Sequence, residues 1–100
     1  MFIYNVTVNL SDDIHAEWLN WMRSTHIPDV MKTGCFIDNK LVKVLYVQDE
    51  GHTYSIQYTF LEMEDIENYN KNFAPKLQAE HSAKFKDKYA AFRTLLQIID

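Results

Sequence analysis

Two histidines, one in each helical pattern of the sequence, are the residues best suited to chemistry. His26 lies four residues after Met22 and just before Pro28, and His81 lies six residues after Pro75. Imidazole titrates near neutral pH and can act as acid, base or ligand. Both side chains fall on the apolar stripe of their helix and could open on one pocket. The sequence therefore predicts His26 and His81 as catalytic residues.

Each histidine also has a structural interpretation. A histidine near the end of a helix can donate to free carbonyls, and its cation suits the negative end of the helix dipole. Asp29, three residues after His26, could instead orient that ring for catalysis. A metal site would need three or four converging ligands. The spacing of the histidines and carboxylates matches no metal-binding signature, so no metal site is predicted.

Aromatic and flexible side chains beside the histidines could line a pocket for a flat, apolar ligand. The predicted ligand-binding residues are Trp18, Met22, Tyr58 and Asp29. An aromatic stripe at helical spacing is also what an ordinary core requires, so both interpretations stay open for Trp18 and Tyr58.

Hydrophobic periodicity predicts the elements that must position these residues. Phe2 to Leu10 alternate between apolar and polar positions, which is typical of a strand. The remaining elements are predicted in the following order: helix 14–25, interrupted by Pro28 and continued as a short helix up to Gly34; strand 36–48; hairpin turn 49–52; strand 53–60; a helix from Ile66 to Phe85, interrupted by Pro75; and strand 89–99.

The order β-α-β-β-α-β predicts an α+β, ferredoxin-like domain spanning residues 1–100, with two helices on one face of a four-stranded antiparallel sheet. The helices should cover the face that carries Phe2, Tyr4, Val6, Val8, Tyr54, Ile56, Tyr58 and Phe60. The other face is mostly polar and uncharged. It is predicted to pair sheet to sheet in a homodimer through Asn5, Thr7, Gln57 and Arg93, the alternative being a plain solvated face.

Composition narrows the class of protein. The chain has 100 residues and a net charge of −4, which disfavours binding to nucleic acids and to anionic membranes. Its one cysteine, Cys35, allows no internal disulfide, so we expect a cytoplasmic protein. The alternating N-terminus lacks the features of a signal peptide, and no apolar run is long enough to cross a membrane.

Several stretches carry a family resemblance: "IYNVTVN", "HAEWLNWMRSTHIPDVMKTGCF", "YSIQYTF", "FAPKLQAEH" and "YAAFRTLLQI". They resemble an uncharacterised bacterial domain-of-unknown-function family, which is similar to a branch of the dimeric α/β-barrel superfamily. The resemblance implies a ferredoxin-like fold and a dimer, but no activity. The wider superfamily includes cofactor-free monooxygenases, haem-degrading enzymes and isomerases, so the fold alone does not select a chemistry.

Two functions from different classes therefore remain. The first is a homodimeric small-molecule-binding domain, a candidate cofactor-independent isomerase or monooxygenase with a histidine as general base and an unknown cofactor requirement. It predicts an open cavity of roughly 300 Å³ or more that both imidazoles reach. The alternative is a non-catalytic dimeric interaction or regulatory module with a packed interior. Binding of haem or of a metal ion is a third possible function.

Overall fold

The computed structural model describes residues 1–46, 48 and 50–100. Val47, in the predicted second strand, and Asp49, in the predicted hairpin turn, lie outside the described residues. Four strands form one antiparallel sheet in the order β2-β3-β1-β4: β1 (Phe2–Leu10), β2 (Asp38–Lys43), β3 (His52–Phe60) and β4 (Tyr89–Gln97). The second strand is shorter than predicted. None of the described helices is long and apolar enough to span a membrane.

Two helical segments connect β1 to β2 and β3 to β4. The first runs from a 3₁₀ turn (Asp12–Ile14) into α1 (His15–Trp21), a π-helical turn (Met22–His26) and α2 (Ile27–Met31). The second consists of α3 (Met63–Asn72) and α4 (Ala74–Lys84). As predicted, Pro28 lies in the first turn of a further short helix, α2, but the backbone before it stays helical rather than breaking. The wider π turn, with hydrogen bonds between residues five apart, lets the chain stay helical up to a residue that has no N–H.

The face of the sheet beneath the helices is the predicted one. The register pairs Tyr4 with Tyr58 and Val8 with Tyr54, so these side chains share one face. All four are buried. The largest fully buried side chains that complete this core are Trp18, Phe60, Phe85, Leu10, Ile56, Ile66 and Val30. The fold is ferredoxin-like, as the periodicity predicted.

The register of β4 corrects one prediction. Arg93 pairs with Val6 and therefore lies on the helix side of the sheet, whereas Phe92 pairs with Thr7 on the other side. The assignment of Arg93 to the dimer face is wrong. Apolar residues occupy both faces of β4, so its sequence does not specify which face is buried, and a shift of one residue reverses every side chain.

We call the sheet surface turned away from the helices the open face. At its centre, Asn5 Nδ2 donates to Thr7 Oγ1 and to Thr94 Oγ1, both at 3.1 Å, and Asn5 Oδ1 accepts from the Ser55 hydroxyl. Gln57 extends this network by donating to Ser55 Oγ at 3.4 Å. Exposed apolar side chains flank the network: Val42, Phe92 and Leu96. The open face is thus polar at its centre, as predicted, but apolar along its sides.

Candidate functional site

A cavity of about 40 Å³ lies between the helices and the sheet. His26 and His81 both line it, and so do Met22 and Tyr58 from the predicted ligand-binding set. The convergence of the two histidines is therefore present. The volume holds only a few water molecules and is far below the size predicted for an enzyme pocket.

The π turn positions His26. Trp21 and His26 are five residues apart, which is the spacing that a π-helical hydrogen bond joins. Their rings stack with centroids 5.1 Å apart at an angle of 28°. A uniform α-helical spacing would put His15, eleven residues before His26, on the same side of the helix as His26, but the π turn changes the angle between them. His15 stacks on His52, with centroids 3.7 Å apart, and its Nε2 lies 2.6 Å from the Tyr54 hydroxyl.

The His26 ring is neutral at pH 7. Its pKa is lowered to about 4, mainly by burial and further by the Arg93 cation, while the charge of Asp29 opposes the shift. Its Nδ1 is buried and has no hydrogen-bond partner among the described residues. An imidazolium would need a partner at both nitrogens, so this environment disfavours the charged form.

His81 is neutral for a related reason. Burial lowers its pKa to about 4, with smaller contributions from His26 and Arg93. In addition, the indole N–H of Trp18 donates to His81 Nε2 at 2.9 Å. Trp18 is fully buried and does not line the cavity. The prediction that Trp18 contacts a ligand is therefore wrong, because its polar tip is occupied by His81.

Asp29 does not reach the cavity either. It lines a separate surface groove with Lys32 and Lys76, and His26 Nδ1 neither accepts nor donates a hydrogen bond within the described part of the chain. The structure thus separates Asp29 from the site, and its influence on His26 is purely electrostatic.

Several residues of the cavity lie outside the predicted ligand-binding set. Tyr4, Tyr69 and Gln78 line it, and Arg93 is the one described lining residue that carries a charge at neutral pH. Burial raises the pKa values of Tyr4 and Tyr69, so their hydroxyls remain neutral donors. The alternation of β1 placed Tyr4 on the correct face, but no local signal identified Arg93. The lining of the cavity combines apolar side chains with hydroxyl, amide and imidazole groups, and it carries one positive charge, that of Arg93.

Comparison of the sequence with models of protein families identifies the family of this chain. Residues 1–99 match the model of a domain of unknown function, DUF4286. The chain belongs to the DUF4286 family. No protein of curated function matches this DUF4286 sequence.

Solved structures similar to this DUF4286 chain share its fold at low sequence identity. A protein from an uncultured marine organism, described as a dimeric ferredoxin-like protein, has a TM-score of 0.75 at 10% identity, with 99% of this chain and 95% of that chain covered. A variant of SnoaB, a cofactor-independent oxygenase from Streptomyces nogalater, has a TM-score of 0.69 at 11% identity, covering 99% and 94%. A putative antibiotic biosynthesis monooxygenase from Nitrosomonas europaea has a TM-score of 0.70 at 8% identity, covering both chains fully.

A second group of titratable side chains lies outside the cavity of the DUF4286 chain. His52 Nε2 is 2.7 Å from an Asp12 carboxylate oxygen, next to the stacked ring of His15. His52 begins β3 and is partly buried. Among residues 1–46, 48 and 50–100, no three His, Cys, Asp or Glu side chains are placed to hold a metal ion.

Proposed function

We propose that this DUF4286 chain binds a small organic molecule through an acidic or carbonyl oxygen and transfers a proton on it without a cofactor. One observation carries the proposal. Two neutral imidazoles from different helical segments meet the single cation Arg93 on one small, otherwise uncharged cavity. Such a combination of base, donors and cation suits a substrate that becomes negatively charged as it loses a proton.

In the proposed reaction, His26 takes a proton from a carbon next to a carbonyl group. The electron pair left by the broken C–H bond moves onto the carbonyl oxygen, and the Arg93 cation stabilises the resulting enolate. A free His26 with a pKa of about 4 is a weak base. An anionic ligand beside the ring would raise that pKa toward neutrality, because an opposite charge favours the imidazolium.

The enolate could regain its proton at another atom, as in an isomerase, or react with dioxygen, as in an oxygenase. The fold neighbours described as a cofactor-independent oxygenase and as a putative monooxygenase support this class of chemistry at the level of fold alone.

The size of the cavity limits the ligand. About 40 Å³ admits a carbonyl or carboxylate group but not an aromatic ring. We therefore place the polar head of the ligand inside the cavity, facing Arg93, and its apolar body at the open edge. Met22 is the unbranched, adaptable side chain in the lining that can move to enlarge the space.

We also propose that two copies pair through their open faces. Exposed Phe92, Leu96 and Val42 would gain burial, and the network around Asn5 and Ser55 already satisfies its own hydrogen bonds. The apolar area supplies the driving force, and the polar centre can be covered without leaving unpaired groups. Two structural neighbours described as dimeric ferredoxin-like proteins support self-association of this fold.

The small volume of the cavity favours a second candidate, a non-catalytic dimeric interaction module whose interior is simply well packed.

Binding of benzoate distinguishes the two functions. Benzamide, which is neutral and has nearly the same shape, is the control ligand. We expect benzoate at millimolar concentration to shift the side-chain NMR signals of His26 and His81 and to raise the pKa of His26. Benzamide should have a weaker effect, because it lacks the charge that Arg93 attracts.

A catalytic test follows from the same probe. Acetophenone in D₂O should lose its methyl proton signal faster with the wild-type chain than with His26→Gln, whose fold is checked by its NMR spectrum. Absence of binding by benzoate together with equal exchange rates for the two proteins would rule out the proton-transfer function and leave the interaction module.

A further inference from the structure

The buried hydrogen bond between Trp18 and His81 links the two helical segments. Trp18 belongs to α1 and His81 to α4, and the indole Nε1 lies 2.9 Å from His81 Nε2. Both residues are buried, Trp18 completely. Because both groups are buried, neither can exchange its partner for water, so the bond persists in the folded chain.

We infer that Trp18 is a positioning residue that fixes His81 as a hydrogen-bond donor, with its proton on Nδ1. An indole N–H can only donate, so Nε2 of His81 must supply a lone pair. In the neutral ring the hydrogen then resides on the other nitrogen. This inference rests on the proposed function, since it assigns His81 the task of donating to the ligand oxygen.

The packing around His81 fixes the orientation of its ring as well as its tautomer. Tyr89 meets the ring edge to face, with centroids 4.4 Å apart. Phe85 and Trp21 lie at 5.5 and 5.8 Å on other sides. A ring held in this way cannot flip to present Nε2 to the cavity without breaking the bond to Trp18.

The two histidines then have different tasks. His81 has its basic nitrogen occupied and can only donate, so it cannot be the base that the sequence predicted. The described part of the chain provides no comparable donor to His26, whose Nδ1 has no partner. His26 is therefore the base, and His81 is the donor that binds the ligand oxygen. The centroids of the two rings are 5.8 Å apart.

The tautomer can be observed directly in the ligand-free chain. Long-range ¹H–¹⁵N correlation spectra at pH 7 distinguish protonated from unprotonated imidazole nitrogens. In the wild-type chain we expect His81 Nδ1 in the protonated range and Nε2 in the unprotonated range. An Nε2-protonated His81 would overturn the inference without any variant having to fold.

Trp18→Phe and Trp21→Phe provide a matched pair, since each replaces an indole near His81 with a phenyl ring. Only Trp18→Phe removes the donor, so only this variant should move the Nε2 signal toward the protonated range and raise the pKa of His81. The same shift in both variants would mean that packing, not the indole N–H, selects the tautomer, and would overturn the inference. Because these measurements need no ligand, failure of benzoate to bind would reject the proposed function while leaving the observed tautomer to decide this inference.

Discussion

His26 and His81 meet edge to face, with ring centroids 5.8 Å apart, although they belong to different helical segments. Burial is the main reason that both have a pKa of about 4, and the charge of either ring would oppose the charge of the other. The folded chain thus holds two neutral imidazoles side by side, and this arrangement has consequences for stability, for the proposed chemistry and for the response to pH.

Stability should fall as the pH decreases from about 6.5 toward 4. The unfolded chain binds protons at both histidines below pH 6.5, whereas the folded chain does not until the pH approaches 4, so the contribution is present above pH 6.5 and lost below it. Between pH 7 and 5 we expect the free energy of unfolding to decrease by about 2 kcal/mol for the pair, after discounting for solvent screening. Urea titrations at both pH values measure the change.

One other histidine, His15, must be separated from this effect. The pKa of His15 is also lowered, mainly by burial and by neighbouring His52 and Lys43, with Asp12 opposing. His15→Gln should therefore remove only a small part of the pH dependence. The His26→Gln, His81→Gln double variant should remove most of it. Equal pH dependence in the wild type and the double variant would place the titrating groups elsewhere.

Replacing each cavity histidine with phenylalanine should have opposite consequences. His26→Phe removes a nitrogen that has no partner and keeps the stacking on Trp21, so we expect stability to be unchanged or raised by up to about 1 kcal/mol. His81→Phe leaves the indole N–H of Trp18 buried without an acceptor, which should cost about 1–3 kcal/mol.

Denaturation by urea at pH 7.5, where both histidines are neutral in either state, compares the two variants without a contribution from titration. A large loss for His26→Phe would show that His26 makes a structural hydrogen bond in solution. The ranking of the two variants is the decisive observation, because their side chains change in the same way.

The fold could be predicted from the sequence because burial imposes a clear period on most elements. Tyr4 and Val8 in β1, and Tyr54 and Tyr58 in β3, alternate with polar residues and occupy the predicted face. Such a pattern leaves one register that buries the apolar side chains. The convergence of His26 and His81 followed from their positions on two helical stripes.

The errors arose where the period fails. In β4, exposed Phe92 and Leu96 lie on the open face, and Arg93 lies on the helix side. Apolar residues on both faces leave the local sequence ambiguous, and only pairing with β1 decides which face is buried. In the first helical segment, the π turn changes the angle between residues, so side chains before and after it do not follow one α-helical stripe.

Charge on the open face should dissociate the proposed dimer. Phe92 is 61% exposed in the single chain, so Phe92→Glu should preserve the fold while placing two carboxylates in the interface. The double variant Thr7→Glu, Gln57→Glu should act in the same way, since both residues lie on this face. Mass in solution, measured by light scattering, should change from that of a dimer to that of a monomer.

Met63→Glu is the control for this experiment. Met63 is an exposed apolar residue at the beginning of α3, away from the open face, so the added charge should leave the dimer intact. A wild-type mass of one chain, or an unchanged dimer in both open-face variants, would contradict the sheet-to-sheet arrangement.

The two glycines differ in what surrounds them, and their alanine variants should differ accordingly. Both have positive φ values, 77° for Gly34 and 85° for Gly51. An added Cβ has open space at Gly34 but would overlap the backbone carbonyl of Leu10 at Gly51. Gly34→Ala should cost about 1 kcal/mol from the backbone conformation alone, and Gly51→Ala at least about 2 kcal/mol. Equal losses in urea unfolding would indicate that the Gly51 turn lies farther from β1 in solution.

Arg93 should control the protonation of both cavity histidines. Its cation lowers the pKa of His26 and of His81, so Arg93→Gln should raise both values, with burial still keeping each below 6.5. Arg23→Gln is the control, because Arg23 lies on the exposed side of the π turn and does not line the cavity. NMR titration of the C–H signals of the two rings measures the shifts. If Arg93→Gln leaves both pKa values unchanged while Tyr4 and Gln78 retain their environment, the guanidinium points away from the cavity in solution, and another group must bind the ligand oxygen.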